Sequence, residues 1–178
     1  PIIIEKSTEP GPVVLLMAAI HGDEVNGVEI VRQVIAKKYN VPKKGTVICI
    51  PVVNVFGFLD MTREFPDGRD LNRSFPGSNK GSLASRFAYF LMNEIVPIVD
   101  YCIDYHTGGA SRFNFPQVRY NGNSRECGEL AVAFGTKFLI EADLRDKSFR
   151  NYASNAGLKV IMFEGGRALN LDRFVTRE

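Results

Sequence analysis

His21 and Glu24 stand three residues apart in Ala18-Ala-Ile-His-Gly-Asp-Glu-Val-Asn-Gly27, directly after the apolar run 13–20. An imidazole and a carboxylate on one tight turn can face the same cation, and zinc accepts both at roughly 2.0–2.2 Å. Gly22 and Gly27 let the backbone bend where side chains would obstruct it. Alone, His-x-x-Glu is a loose pattern that also describes a surface pair or a helix-capping carboxylate. The chain has only 2 histidines, however, and the second, His106, also follows an apolar run and precedes glycine. Two imidazoles and one carboxylate, His21, Glu24 and His106, form the ligand set of catalytic zinc centres, with one position left for water. Magnesium and calcium prefer shells made entirely of oxygen. Zinc, one ion per chain, is therefore the expected cofactor, and the set does not exclude cobalt, manganese or iron.

A catalytic zinc brings the pKa of water toward roughly 7 and polarises a carbonyl, and a separate carboxylate must then carry the proton. Glu164 is the first choice for that role, because it ends an apolar strand pattern and Gly165-Gly166 leaves room for substrate. Glu141 also follows a strand pattern and is its rival. The plainer alternative for Glu164 is a carboxylate capping a following helix. Arginines 63, 69 and 73 come from one polar stretch, and guanidinium groups beside a metal can stabilise an oxyanion or grip a carboxylate. Asp70 is the candidate acceptor for the free ring N–H of a metal-bound histidine, His21 before His106.

The elements that must position these groups alternate. Strand patterns at 13–20, 46–53, 99–105, 137–140 and 159–163 are separated by helical patterns, with Ile2-Ile3-Ile4 as a short edge strand. Asn26 and Glu29 have capping-box spacing for the first helix, whose apolar face is Val28, Val31, Val34 and Ile35. Residues 54–81 read as one long loop, and loops of that length are usually functional or disordered. Ser82 can cap a second helix with a core face of Leu83, Phe87, Phe90, Leu91 and Ile95. Asn123 and Glu126 can open a third, to about Phe134, and Ser148–Ala156 a fourth. Pro51 marks an edge or a bulge. The class is α/β, a mixed, largely parallel sheet with helices on both faces. In such sheets, ligands bind outside the carboxyl ends of the strands, where His21, His106 and Glu164 all fall.

With 178 residues, 45% hydrophobic and 24% charged, the chain suits one domain with a sizeable core. A net charge of +2 without a basic stripe argues against nucleic acid. No apolar stretch approaches the roughly 18 residues a membrane helix needs, and no signal-peptide pattern opens the chain. The three cysteines lack metal-site spacing, and Cys49 and Cys102 sit inside apolar runs as small buried hydrophobes, which suits a reducing, cytoplasmic location. A homo-oligomer is compatible with these features but nothing in them requires one.

His21-x-x-Glu24, Arg63, Asp70-x-Asn72-Arg73, His106 and Glu164 occur in the order found in zinc carboxypeptidases. Over residues 13–166 the set most resembles the succinylglutamate desuccinylase/aspartoacylase branch of that superfamily, and Asp104-Tyr-His106 resembles its third-ligand segment. The resemblance implies a zinc-carboxypeptidase-like fold, with zinc on His21, Glu24 and His106. It implies that Arg63 polarises the scissile carbonyl, that Asn72 and Arg73 bind a substrate carboxylate, and that Glu164 is general base and acid. The implied activity is zinc-dependent hydrolysis of an N-acyl amino acid or similar small carboxylate-bearing amide. Alternatives are a carboxypeptidase acting on peptide C-termini and a metal-binding module without catalysis. Arg112, Asn114 and Arg119 are further pocket candidates. Only 14 residues follow Glu164, so residues 1–178 are expected to form a single catalytic domain, with the branch's smaller β-rich domain absent or truncated.

Overall fold

The computed structural model of the chain describes residues 1–110 and 112–177. Seven strands, β1 (Ile3–Lys6), β2 (Val13–Ala18), β3 (Thr46–Ile50), β4 (Tyr101–Gly108), β5 (Asn114–Tyr120), β6 (Phe138–Glu141) and β7 (Lys159–Arg167), join in one sheet. The order is β1-β3-β2-β4-β7-β5-β6. The central strands β3, β2, β4 and β7 run parallel, and they are the β-branched, nearly continuous apolar segments that a sheet covered on both faces requires. β1 is the expected short edge strand, antiparallel to β3.

Alternation along these strands splits the core in two. One face sends Leu15, Met17, Ile48, Cys102 and Val160 against α3 (Leu83–Phe90) and α5 (Phe149–Asn155), where Ala84, Ala88, Phe149 and Ala153 meet them. The other sends Leu16, Ala18, Cys49, Tyr105 and Ile161 against α1 (Val25–Ala36), α4 (Arg125–Phe134) and the short α6 (Arg173–Thr176). Each large side chain fully buried here, such as Phe149 or Leu15, is worth about 1.5–3 kcal/mol. All three cysteines are free and buried. No helix among the described residues is long and apolar enough to cross a membrane.

Several local expectations are overturned. β5 was not among the expected strands; it inserts antiparallel to β7 and parallel to β6, a second antiparallel pairing beside that of β1 and β3 in the mixed sheet. Pro116 lies where the β5–β7 register shifts, between Asn114 and Gln117, the kind of position at which a residue without an N–H is tolerated. The stretch 54–81 is not one loop: α2 (Val55–Asp60) and a 3-10 turn (Leu71–Arg73) interrupt it. Pro51 marks neither an edge nor a bulge but lies just beyond the end of the internal strand β3. The face of α3 is rotated, so Ala84 and Ala88 are buried while Leu83 and Phe90 are exposed. Its helical course continues past Phe90 as expected, with Leu91 and Ile95 buried, but as a π-helical turn and then a 3-10 turn to Ile98. Ser124, not Asn123, caps α4.

Asn26 does not cap α1. Glu24 occupies the N-cap position, but its carboxylate is turned toward the histidines and the helix has no side-chain cap. Asn26 is instead buried in the first turn, accepting from Asp172 N–H at 2.7 Å and donating to the Gly165 carbonyl at 3.4 Å. Glu29, released from a capping box, pairs with Arg32.

Candidate active site

β2 ends at Ala18, and Ala19 adopts a left-handed conformation with φ 52°. Such a conformation costs a non-glycine residue about 1 kcal/mol or more. Its neighbours hold it there, because the Ala18 and Ala19 carbonyls accept from Val53 N–H and Asn54 N–H at 2.9 and 2.8 Å. The reversal presents His21 and Glu24 at the carboxyl edge of the sheet. Gly22 is needed for close approach rather than for bending, since a Cβ there would lie 2.0 Å from the Gly57 carbonyl carbon. Gly27 likewise lets α1 pack on Tyr105.

Glu24 is 2% exposed and stands at the centre of the site. Its Oε1 lies 2.8 Å from His21 Nδ1, and its Oε2 lies 3.0 Å from His106 Nδ1 and accepts from Thr107 N–H at 2.9 Å. The imidazole centroids are 5.0 Å apart, and one ligand atom from each of His21, Glu24 and His106 falls within 4.8 Å of the others. Both histidines turn Nδ1 inward, so each Nε2 needs an outer partner. His106 Nε2 has Asp104 Oδ2 at 2.8 Å, and His21 Nε2 has Asp70 Oδ1 at 3.3 Å, an ion-pair distance without hydrogen-bond alignment.

Electrostatics follow from this packing. Burial disfavours the charged form of Glu24, but the two imidazoles outweigh it and hold the carboxyl well below its usual range. Burial likewise opposes protonation of His106, yet Asp104 and Glu24 raise its pKa well above the usual imidazole value. His21 is raised in the same way, by Glu24 and Asp70 against burial. Glu164 moves upward, because burial outweighs the nearby His106 and Arg119 charges.

Glu164 lies within β7, beside His106 in the register of β4. Asn114 Nδ2 donates to its Oε2 at 2.6 Å, and Arg119 Nη1 is 3.8 Å from its Oε1. These groups line a cavity of about 520 Å³ that also takes in Arg63, Asn72 and Arg73. Asn54, buried at the start of α2, sets Arg63 by donating to the carbonyls of Arg63 and Glu64. The Arg63 guanidinium then reaches Glu24 at 3.3 Å and Asp70 at 2.9 Å.

The sequence over residues 10–175 matches the family model described as the succinylglutamate desuccinylase/aspartoacylase catalytic domain. The chain belongs to that family. It is 32% identical over 146 residues to the N-alpha-acetyl-L-2,4-diaminobutyric acid deacetylase of Halomonas elongata, covering 79% of this chain and 42% of that protein. A solved succinylglutamate desuccinylase/aspartoacylase from Rhodobacter sphaeroides superposes with a TM-score of 0.88 at 29% identity, over 99% of this chain and 55% of that one. A metallo-carboxypeptidase from Burkholderia cenocepacia shares the fold, with a TM-score of 0.76 at 15% identity, over 92% of this chain and 51% of that one. The chain thus spans about half the length of these relatives.

In this family member the candidates His21, Glu24, His106, Arg63, Asn72, Arg73 and Glu164 converge on one cavity. Arg112, Asn114 and Arg119 line it as well. Asn72 has a second engagement, its Oδ1 accepting from Phe149 N–H at 2.8 Å and so fastening α5 to the cavity wall. Glu141 is not brought in; it sits on the exposed edge strand β6 and accepts from the Tyr120 hydroxyl. Arg69 also points away, toward Asp67. Nor do Gly165 and Gly166 make room for substrate: a Cβ on Gly165 would meet Val175 at 2.6 Å and one on Gly166 would meet Asn26 at 2.3 Å. Glu164 caps no helix, since Asp172 caps α6. Sequence reasoning quoted Asp104 only as part of Asp104-Tyr-His106 and gave it no role of its own, and it overlooked Asn54 and Arg150. Asp104 was within reach, because residues i and i+2 of a strand share a face.

Proposed function

We propose that this chain forms a catalytic domain that hydrolyses the amide bond of an N-acyl amino acid bearing a free carboxylate, with zinc as cofactor. The observation that carries the reading is the buried convergence of His21 Nδ1, His106 Nδ1 and the Glu24 carboxylate beside a separate carboxylate, Glu164. The donor set suits zinc: two nitrogens and an oxygen, each imidazole backed by an acidic partner, as ligating histidines usually are. A zinc ion held there supplies Lewis acidity, which polarises a carbonyl and acidifies water.

The chain's own residues supply the rest. Arg73 and the free amide edge of Asn72 hold the substrate carboxylate and thereby orient the scissile bond. Arg63, fixed by Asp70, directs a guanidinium toward the acyl oxygen, where negative charge develops. Glu164 takes a proton from the attacking water and returns it to the departing nitrogen. Its upward-shifted carboxyl suits both halves of that transfer.

The test is a screen of zinc-loaded protein against N-acetyl- and N-succinyl-amino acids and against short peptides, with Glu164→Gln as control. The reading expects turnover of N-acyl amino acids, with kcat in the variant reduced by about 100-fold or more at retained zinc content. Turnover of peptides alone would instead favour a carboxypeptidase. Undiminished turnover by the variant would remove Glu164 from the proton path.

A further inference from the structure

β6 closes one side of the sheet, and both of its faces are open. Its four residues are all exposed, among them Phe138 at 45%, Leu139 at 38% and Ile140 at 37%. Among the described residues no strand pairs with its outer side. Which backbone groups face outward follows from the ladder with β5. Ala142 N–H donates to the Tyr120 carbonyl at 3.0 Å, which continues the parallel pairing of Arg119 with Ile140. Backbone groups alternate in direction along a strand, so Phe138 and Ile140 turn theirs to β5, and Lys137, Leu139 and Glu141 turn theirs outward. An open edge of this kind templates pairing with another chain unless charge, proline or a covering element prevents it. β1, the opposite edge, has Glu5 and Lys6 among its four residues. The centre of β6, Phe138-Leu139-Ile140, has no charge at all. Phe115 packs edge-on against Phe138 at a centroid distance of 5.4 Å and also meets Phe174, and all three rings are about half exposed, so the apolar border extends inward from the edge.

We propose that two copies of this chain pair antiparallel through β6, about a two-fold axis at Leu139, joining their sheets into one. The strand is self-complementary in that register. Lys137 falls opposite the partner's Glu141, Leu139 opposite the partner's Leu139, and Phe138 opposite the partner's Ile140. Lys137, Leu139 and Glu141 then exchange N–H···O bonds with the residues they face. Opposite charges and aromatic–β-branched pairs set directly across an antiparallel ladder stabilise it, whereas like charges oppose it. Of the three outward residues only Leu139 can take the axis, because an axis at Lys137 or Glu141 sets a charge against its own copy. Within one chain Lys137 lies over the Phe138 ring and Glu141 accepts from the Tyr120 hydroxyl, so neither charge is met by an opposite one among the described residues. A contact that uses the same patch on both copies closes at two. One short strand and its apolar border make a small interface, which belongs with weak dimers that dissociate in the micromolar range. The inference stands apart from the hydrolase reading, since no cavity residue takes part in the pairing.

Sedimentation velocity on the 178-residue chain across the micromolar range tests it. Wild type should pass from monomer to dimer as concentration rises. Leu139→Asp sets two carboxylates on the axis and should leave a monomer throughout. Lys137→Glu and Glu141→Lys should each weaken the dimer by about tenfold or more, and the two together should restore it to within about threefold of wild type. Ile4→Asp on β1 should leave the dimer unchanged. These positions are exposed, and an unaltered far-UV circular dichroism spectrum separates lost pairing from lost fold. A wild-type monomer at every concentration overturns the inference and leaves the border to a different partner. A dimer that survives Leu139→Asp overturns it, as does a double charge reversal no tighter than the single ones. Growth past the dimer that Ile4→Asp abolishes would mean head-to-tail pairing of β1 with β6, and that too overturns it.

Discussion

Asp104→Asn isolates the contribution of one buried carboxylate to the proposed zinc site. Asp104 is 1% exposed and its Oδ2 lies 2.8 Å from His106 Nε2, on the side of the ring away from Glu24. With His106 Nδ1 turned to the metal position, Nε2 carries the proton and Asp104 accepts it. Asparagine keeps the shape and can still present a carbonyl oxygen, so what is lost is the charge. A hydrogen bond to a charged group is worth about 1.5–3 kcal/mol and a neutral one about 1, a difference of about 0.5–2 kcal/mol with a midpoint of about 1.3. That corresponds to about tenfold in zinc affinity. Asp104→Ala removes the acceptor altogether and should approach the about 100-fold end of what such outer partners contribute. The assay is competition for zinc with a fluorescent chelator at fixed pH, with far-UV circular dichroism confirming the fold. If Asp104→Asn and Asp104→Ala both bind zinc as tightly as wild type, Asp104 does not position a ligand and the assignment of Nδ1 as the inward atom of His106 fails with it.

Two further outcomes follow from contacts around the site. Asn114 stabilises the charged form of Glu164 by donating to it, against the burial that pushes its pKa up. Removing the donor in Asn114→Ala raises the pKa further, and with Glu164 as the proposed general base the acid limb of kcat/KM moves to higher pH. A limb that stays put or moves to lower pH contradicts this. Gly22→Ala forces a Cβ to 2.0 Å from one backbone atom of the Gly57 segment and 2.2 Å from another. It should cost about 1–3 kcal/mol in urea unfolding and weaken zinc binding in parallel, as the His21–Glu24 turn shifts. An unchanged midpoint would mean the His21–Glu24 turn and α2 are not in contact.

The parallel centre of the sheet was legible because β2, β4 and β7 are long apolar runs, and because the two histidines and Glu164 occur at their carboxyl ends. β5 was not, since Asn114, Pro116 and Arg119 gave it the composition of a pocket loop, and only the register shift at Pro116 reconciles those residues with a strand. Asn26 misled for a related reason: capping propensity is local, whereas its partners, Gly165 and Asp172, are more than 130 residues away. Arg150 had no signal at all. A charged residue in a short amphipathic helix reads as solvated, and only the fold shows that α5 turns it into the cavity. Asn72 and Arg73 were legible as neighbours of the site through their resemblance to a known motif, yet the bond from Asn72 to Phe149 depends on tertiary packing.

The most direct measurement is anomalous diffraction at the zinc absorption edge from crystals of the zinc-loaded protein. The account predicts a single peak at roughly 2.0–2.2 Å from His21 Nδ1, a Glu24 carboxylate oxygen and His106 Nδ1 together. A peak bound elsewhere, or one contacting fewer than all three of these groups, would contradict it.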